Sequence, residues 1–477
     1  MDKKKPRPLL FSHLNSFSFL NLLIFSLVIL LLTRVWILNY TLDSVIRNKD
    51  EFTWLEYTYF YHLYFQDKDF GNKDWFGPFG LDQPHVSNYI LGFALDYGNG
   101  TVVNSTDSLM AFTYEDYNKR IIDRLDTAIK NGNISLSKGQ ALKEFCYSIL
   151  KDLKKSRIIL PDDKTYSLGR RVIFAFSVLS ALLLALLCQR YLKLSAGAIV
   201  APLLFLTNSI TIPVFQQVLV DSIWCFFSLG SLITLIILAD RMWKLTAGVQ
   251  YWKTLFLAGI NGIFLGLAIG TKYTPVYMVA LTVIYFVGYV IISFAKKRDM
   301  RVIMLWGGGI FLTISLSALL VFVVANPTLW VDPVGNILRM VDYRINTLEV
   351  AKTVYTVYGE SIASNDKRIE LIYKNGILLG YGMTWQTTAI YLLLFVWGLL
   401  HMLRNAHNEL FRGFRFGVWT IVVAWVLTIF ILVGLNLPIN WPRYYISFVM
   451  CSCVIFSVGF DRLIKHILPP AAQNASK

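Results

Sequence analysis

Charge appears at four places where a largely apolar chain should not carry it: Asp50-Glu51 in "NKDEFTW", Asp221 in "QQVLVDSIWCFFSL", Lys272 in "GLAIGTKYTP" and Arg443 in "NWPRYYI". A charge in or beside a membrane span is costly and calls for an account. Carboxylates and fixed cations at one membrane face suit group transfer from a phosphorylated lipid. A carboxylate accepts the proton of an attacking hydroxyl, and cations hold the phosphate as negative charge grows on the leaving group. Asp50, Glu51 and Asp221 are thus the candidate catalytic acids, with Lys272 and Arg443 as candidate ligands of a donor phosphate. Of the 14 residues after Glu51, eight are aromatic. Trp54 and Tyr57 among them offer flat faces for a sugar, and His85 in "DQPHVSNY" stands where it could touch a substrate. Plainer roles exist for each: acids favour a helix start, rings gather at the lipid boundary, and Lys or Arg at a span end snorkel to water. Asp221 resists such a reading, because nothing cationic lies one turn away in its own span. The "DKD" triplet Asp67 to Asp69 has the ligand type for a divalent metal, but such triplets are common in solvated loops, and the sequence requires no cofactor.

The elements that must position these residues are membrane helices. The chain has 477 residues, 55% hydrophobic and 16% charged, with a mean hydropathy of +0.52. About 20 residues of helix cross a hydrocarbon core of about 30 Å, and a barrel would show alternating segments half that long. Ten spans read out: Phe17 to Leu38, Gly169 to Cys188, Leu194 to Ile212, Val214 to Ala239, Leu255 to Gly270, Pro275 to Ala295, Val302 to Ala325, Thr387 to Leu403, Phe416 to Leu435 and Tyr445 to Ile464. The expected fold is therefore an all-α integral membrane protein, one polytopic domain over residues 1–477.

Positive charge sets its orientation, because Lys and Arg collect in short cytoplasmic loops. The alternate loops starting from "KKKPR" hold 19 Lys and Arg against 5 acids, a net +14 of the chain's +15. Both termini are then expected in the cytoplasm, with residues 39–168 and 326–386 outside the cell membrane, or in the lumen if the membrane is that of the endoplasmic reticulum. The basic excess serves orientation and inner-leaflet lipid, which sets nucleic-acid binding aside. On this topology all four charged places emerge at the outer face. The first outer segment carries helical patterns: "TYEDYNKRIIDRLDTAIKNG", with Thr113 and Asp116 at capping-box spacing, and an amphipathic "KGQALKEFCYSILKDLKK". Both are expected on the membrane surface. The five cysteines supply no disulfide framework, and Gly262, Gly266 and Gly270 have the four-residue spacing of close helix packing.

Taken in order, Asp50-Glu51 beyond the first span, "DQPHVSNYILG", "GRRVIFAFSVLSALL", "LVDSIWCFFSLGSL", "GLAIGTKYTPVYM", "NPTLWVDP" and "PRYYISFV" resemble the GT-C superfamily of polyprenyl-phosphate-sugar-dependent glycosyltransferases, in the branch of protein O-mannosyltransferases and aminoarabinose transferases. The resemblance implies inverting transfer of a sugar from a polyprenyl-phosphate donor to a protein, lipid or glycan acceptor, with Asp50 as catalytic base, Asp221 as the family's acid of the fourth span, and Lys272 and Arg443 facing the donor phosphate. About 70 residues separate Asp96 from the next span, an insertion expected to shape the acceptor site. A transporter or flippase of lipid-linked sugars is the competing expectation, but it would place charges near mid-bilayer in two repeated halves. A non-catalytic scaffold would need neither Asp221 nor Lys272.

Overall fold

The computed structural model describes residues 49–103, 121–132, 134–151, 161–244, 249–299, 301, 303–356, 362, 364–437 and 439–467. Residues Arg47–Lys477 form one compact unit and Met1–Ile46 another. The expected first span, Phe17 to Leu38, lies outside the described residues, as do Thr113 and Asp116. No β-strand occurs among the described residues.

Thirteen helices carry the argument. In the first outer segment lie α1 (Lys49–Glu56), α2 (Val86–Tyr97) and α3 (Leu136–Lys151). The bundle is built from α4 (Asp163–Leu186), α5 (Gly197–Thr207), α6 (Asp221–Lys244), α7 (Val249–Thr271), α8 (Val276–Ala295) and α9 (Gly308–Val324). After α10 (Pro333–Thr356) it is completed by α11 (Trp385–His407), α12 (Val418–Thr428) and α13 (Ile446–Ile467). With their flanking turns, seven of these helices (α4, α6, α7, α8, α9, α11 and α13) are long and apolar enough to cross a membrane. α5 and α12 are shorter apolar helices. Of the nine other expected spans, seven thus have full-length counterparts and two do not.

The departures have local causes. α5 covers 11 residues of the expected Leu194 to Ile212, about 16 Å at 1.5 Å per residue. Asn208 stops it. Its buried amide donates to the Leu204 and Phe205 carbonyls and accepts from the Ile210 and Thr211 amides, so one side chain satisfies the groups that a broken helix exposes. After the short turn Thr211–Phe215, the chain becomes helical again only at Asp221. The fourth span therefore starts seven residues later than Val214, and Asp221 occupies its first turn instead of a site two turns inside. A carboxylate suits that position, facing the positive end of the helix dipole.

α6 is the axis of the bundle, with nearly all of its residues buried. The glycine stripe seats α7 on α9: a Cβ at Gly262 would stand 2.4 Å from the Ile314 carbonyl, and one at Gly266 would stand 2.6 Å from that of Ala318. Only a small residue permits that approach. Outside the bundle, α3, the helical stretch 121–130 and α10 share a small separate core of Ile121, Leu125, Leu142, Cys146 and Val350. α10 also leaves Val334, Leu338, Val341 and Ile345 exposed, an apolar stripe at helical spacing of the kind that rests on a lipid surface.

Candidate functional site

Helix geometry separates the two adjacent acids. Consecutive helical residues point about 100° apart, and in the first turn of α1 this sends Glu51 inward and Asp50 toward α13. Glu51 is wholly buried. Arg170 of α4 grips it side-on, with Nε donating to Oε1 at 2.8 Å and Nη2 to Oε2 at 2.9 Å. The Val218 amide donates to Oε1 as well, at 2.8 Å. Glu51 therefore holds together α1, α4 and the non-helical stretch that leads into Asp221. Gly169 lets them meet, since a Cβ there would stand 2.9 Å from Val218 and 3.1 Å from Leu55.

Asp50 makes a different pair, with Arg443 Nη1 donating to its Oδ2 at 2.8 Å. Its side chain is 28% exposed and that of Arg443 18%. Pro442 opens a turn over Pro442–Tyr445 just before α13. Within it the Arg443 guanidinium lies 4.6 Å from the Trp441 ring centre and 5.7 Å from that of Tyr444. Two rings thus orient a cation whose planar donors match carboxylate and phosphate alike.

The second pair lies deeper. Lys272, just past the end of α7, places Nζ 2.6 Å from Asp221 Oδ1, and both side chains are buried. Trp224 Nε1 donates to the same oxygen at 2.9 Å. Asp221 Oδ2 is buried and has no hydrogen-bond partner among the described residues. Arg443 lies within electrostatic reach of both Asp50 and Asp221, so the two pairs are neighbours. Four residues from distant segments, Asp50, Asp221, Lys272 and Arg443, meet at one end of the bundle with balanced charge.

The expected sugar-binding rings are placed otherwise. Trp54 and Tyr57 are buried, edge to face at 5.7 Å. They belong to a packed wall and not to an open platform. Three hydroxyls of that wall each reach an aspartate: Tyr57 to Asp82 at 3.1 Å, Tyr59 to Asp74 at 2.8 Å and Tyr61 to Asp96 at 2.9 Å. Alternate residues of the aromatic run thereby fasten the first outer segment to itself. Asp82 is shared with Arg344 of α10, whose Nη1 lies 3.3 Å from Oδ1.

His85 is fully buried between Phe60 and Trp75, with ring centres 4.3 and 5.1 Å away. Burial pushes its pKa down to about 3, which keeps the imidazole neutral through the physiological range. Its backbone amide donates to Asn326 Oδ1 at 3.3 Å. Tyr89 and Thr328 add bonds between the same two outer segments, so His85 pins "DQPHVSNY" to "NPTLW". Among the described residues no three His, Cys, Asp or Glu side chains are grouped to hold a metal ion. Asp69 instead accepts from Asn72 Nδ2 at 3.0 Å.

Arg170 was missing from the candidates, although the signal was present: it is an arginine at the second position of an expected span, and the rule that singled out Asp221 applies to it. Trp224 and Trp441 carry no such signal, because an indole in a span reads as core.

No protein-family model matches the chain, and no curated protein matches it. Solved structures that resemble it include three of the Archaeoglobus fulgidus oligosaccharyltransferase. One, tethered to an acceptor peptide containing the NVT sequon, is 16% identical with a TM-score of 0.37, over 64% of this chain and 39% of that one. Another, AglB in complex with an inhibitory peptide and a dolichol-phosphate, is 13% identical with a TM-score of 0.36, over 80% and 52%. The apo form is 13% identical with a TM-score of 0.38, over 69% and 42%. The chain thus spans between about two fifths and one half of these proteins, and a likeness this low carries no argument about its activity.

Proposed function

We propose that the protein is a GT-C-type inverting glycosyltransferase that moves a sugar from a polyprenyl-phosphate donor to a protein, lipid or glycan acceptor on the extracytoplasmic side of a membrane. The observation that carries this reading is the meeting of Asp50, Arg443, Asp221 and Lys272 at one end of the helix bundle. In the proposed reaction the acceptor hydroxyl oxygen attacks the anomeric carbon from the face opposite the phosphate. The bond from that carbon to the phosphate oxygen breaks, polyprenyl phosphate leaves, and Asp50 takes the acceptor's proton. Arg443 and Lys272 hold the phosphate, whose charge rises as the bond breaks. Asp221 positions Lys272. Glu51, sequestered by Arg170 and the Val218 amide, positions α1 and takes no part in the chemistry.

Protein reconstituted in lipid and given a panel of polyprenyl-phosphate sugars with peptide, lipid and glycan acceptors tests the reading. Transfer with inversion at the anomeric carbon is the expected result. Movement of intact donor across the bilayer without transfer would identify a flippase, and neither outcome would leave a scaffold.

A further inference from the structure

At the other end of α13, the helices α11 and α13 bring Arg404, Arg462 and Lys465 together around His401 with Asp461 as the one acid bearing on it. They cross at Gly398 and Gly459, where a Cβ would stand 2.0 Å from the Ile455 carbonyl and 1.9 Å from that of Leu394 respectively. Tyr391 stacks on Phe456 before the crossing and His401 lies within electrostatic reach of Arg462 and Lys465 after it, so the helices run parallel and reach the same membrane face side by side. Three residues past each glycine stand His401 and Arg462, and three further on stand Arg404 and Lys465, so each pair shares a helix face. The charges bearing on His401 are Arg462, Arg404 and Lys465 against Asp461 alone. Asp461 is already engaged, accepting from the Ala196 amide at 3.0 Å and lying 2.6 Å from Lys465. Among the described residues neither Arg404 nor Arg462 has a carboxylate within ion-pair distance. Arg462 Nε and His401 Nε2 are buried with no hydrogen-bond partner.

Like charges brought together by a tight helix crossing repel, and buried donors without acceptors add to the cost. An anion with several acceptor oxygens would offset both. We infer that Arg404, Arg462 and His401 form a binding site for the phosphate of an anionic glycerophospholipid, in the leaflet opposite the Asp50 site. The lipid is favoured as the source by what surrounds the cluster. Leu400 and Leu403 are exposed on α11, where acyl chains would lie below the headgroup. Trp419 of α12 packs edge-on against His401 at 5.9 Å, at the depth where indoles prefer the interface. Arg462 lies 19 residues beyond Arg443, roughly 30 Å along a helix, so the two anion sites would occupy opposite leaflets.

The test uses purified full-length protein in neutral detergent, with native mass spectrometry to count bound lipid and intrinsic fluorescence to follow thermal unfolding. Phosphatidylglycerol, phosphatidylcholine with the same acyl chains, and inorganic phosphate are added separately. The expected result is retention of phosphatidylglycerol with a rise in unfolding midpoint that weakens at high salt, and much less of either with phosphatidylcholine. Arg404→Gln with Arg462→Gln should lower the apparent affinity at least about tenfold, while Arg443→Gln, at the other face, leaves it unchanged. Arg404 is exposed, so Arg404→Gln alone should fold and still weaken binding several-fold. Equal binding of the two lipids, an unchanged affinity in Arg404→Gln, or loss in Arg443→Gln would overturn the inference. Equal stabilisation by inorganic phosphate would overturn the lipid as its source.

Discussion

Glu51→Gln separates a positioning role from a reacting one. Glu51 and Arg170 are both essentially excluded from water and joined by two charge-assisted bonds. Gln at position 51 can still accept from the Val218 amide, but it removes the carboxylate charge from a buried ion pair. Breaking a buried pair by removing one partner costs about 3–5 kcal/mol. Removing the cation as well, with Arg170→Met, takes away both charges and keeps most of the apolar volume, so the double variant should recover most of the loss. A coupling energy of about 3 kcal/mol between the two positions is expected. Denaturant or thermal unfolding in detergent of the wild type, both single variants and the double variant gives that number. Turnover is then compared at a temperature where all four are folded. If Glu51 only holds α1, α4 and the approach to Asp221 in place, the stable double variant keeps turnover within about tenfold. A double variant as stable as wild type but slower by two orders of magnitude would show that Glu51 acts on the substrate, and the reasoning from burial would fail.

Asp50→Asn should lower turnover by about two orders of magnitude or more, the scale for loss of a general base. The pair with Arg443 is partly exposed, so its effect on the unfolding midpoint should be small, and near wild-type turnover would reduce Asp50 to a helix-start residue. Arg443→Lys keeps the charge but loses the planar fork, so both donor affinity and turnover should fall; unchanged donor titrations and turnover in Arg443→Gln and Lys272→Gln would remove both cations from the site. Glu56 is buried with no hydrogen-bond partner for either oxygen, and desolvation raises its pKa well above 4.5. The folded state therefore keeps its proton at pH values where the unfolded chain loses it, so folding stability falls as pH rises above about 4.5, by about 1.4 kcal/mol per unit until the buried carboxyl itself ionises. Glu56→Gln should remove that slope, and parallel unfolding profiles for the two proteins between roughly pH 5 and 8 would contradict it. Cysteines placed at Ser137 and Lys297 should differ toward an impermeant reagent, the first reacting from outside and the second protected; the reverse would invert the orientation and the site built on it.

The convergence of four distant charges on one end of the bundle was legible in the sequence because it is a property of sums. Loop charges and span lengths placed Asp50, Asp221, Lys272 and Arg443 at one end of the bundle, and their side chains do meet there. What hydropathy could not register were bonds between a side chain and a distant backbone. Asn208 stops α5 with four local bonds, and Glu51 engages the Val218 amide 167 residues away, which is where the expected fourth span fails to begin. The aromatic run misled for a similar reason. Its tyrosines look like an interfacial belt or a sugar platform until Asp74, Asp82 and Asp96 are seen to take their hydroxyls. Those partners lie 15 to 35 residues on, and nothing in the local pattern joins them.

Charge balance links donor binding to chemistry in the proposed reaction. Without a donor, Arg443 is matched by Asp50 and Lys272 by Asp221. A sugar phosphodiester brings one negative charge and competes with the carboxylates for the same donors. The pair that yields should be the more exposed one, because Arg443 can turn planar donors to the phosphate while still resting on the Trp441 and Tyr444 rings. Asp50 would then give up the Arg443 bond as the donor arrives, and the Oδ2 that accepted it can take the acceptor's proton. Lys272, held by the buried Asp221, has less freedom and more reason to stay. It would act as a fixed charge toward which the leaving phosphate moves, at little reorganisation cost in the transition state. On this argument Asp221→Asn should leave Lys272 without its restraint, lowering turnover more than donor affinity, whereas Arg443→Gln should lower both.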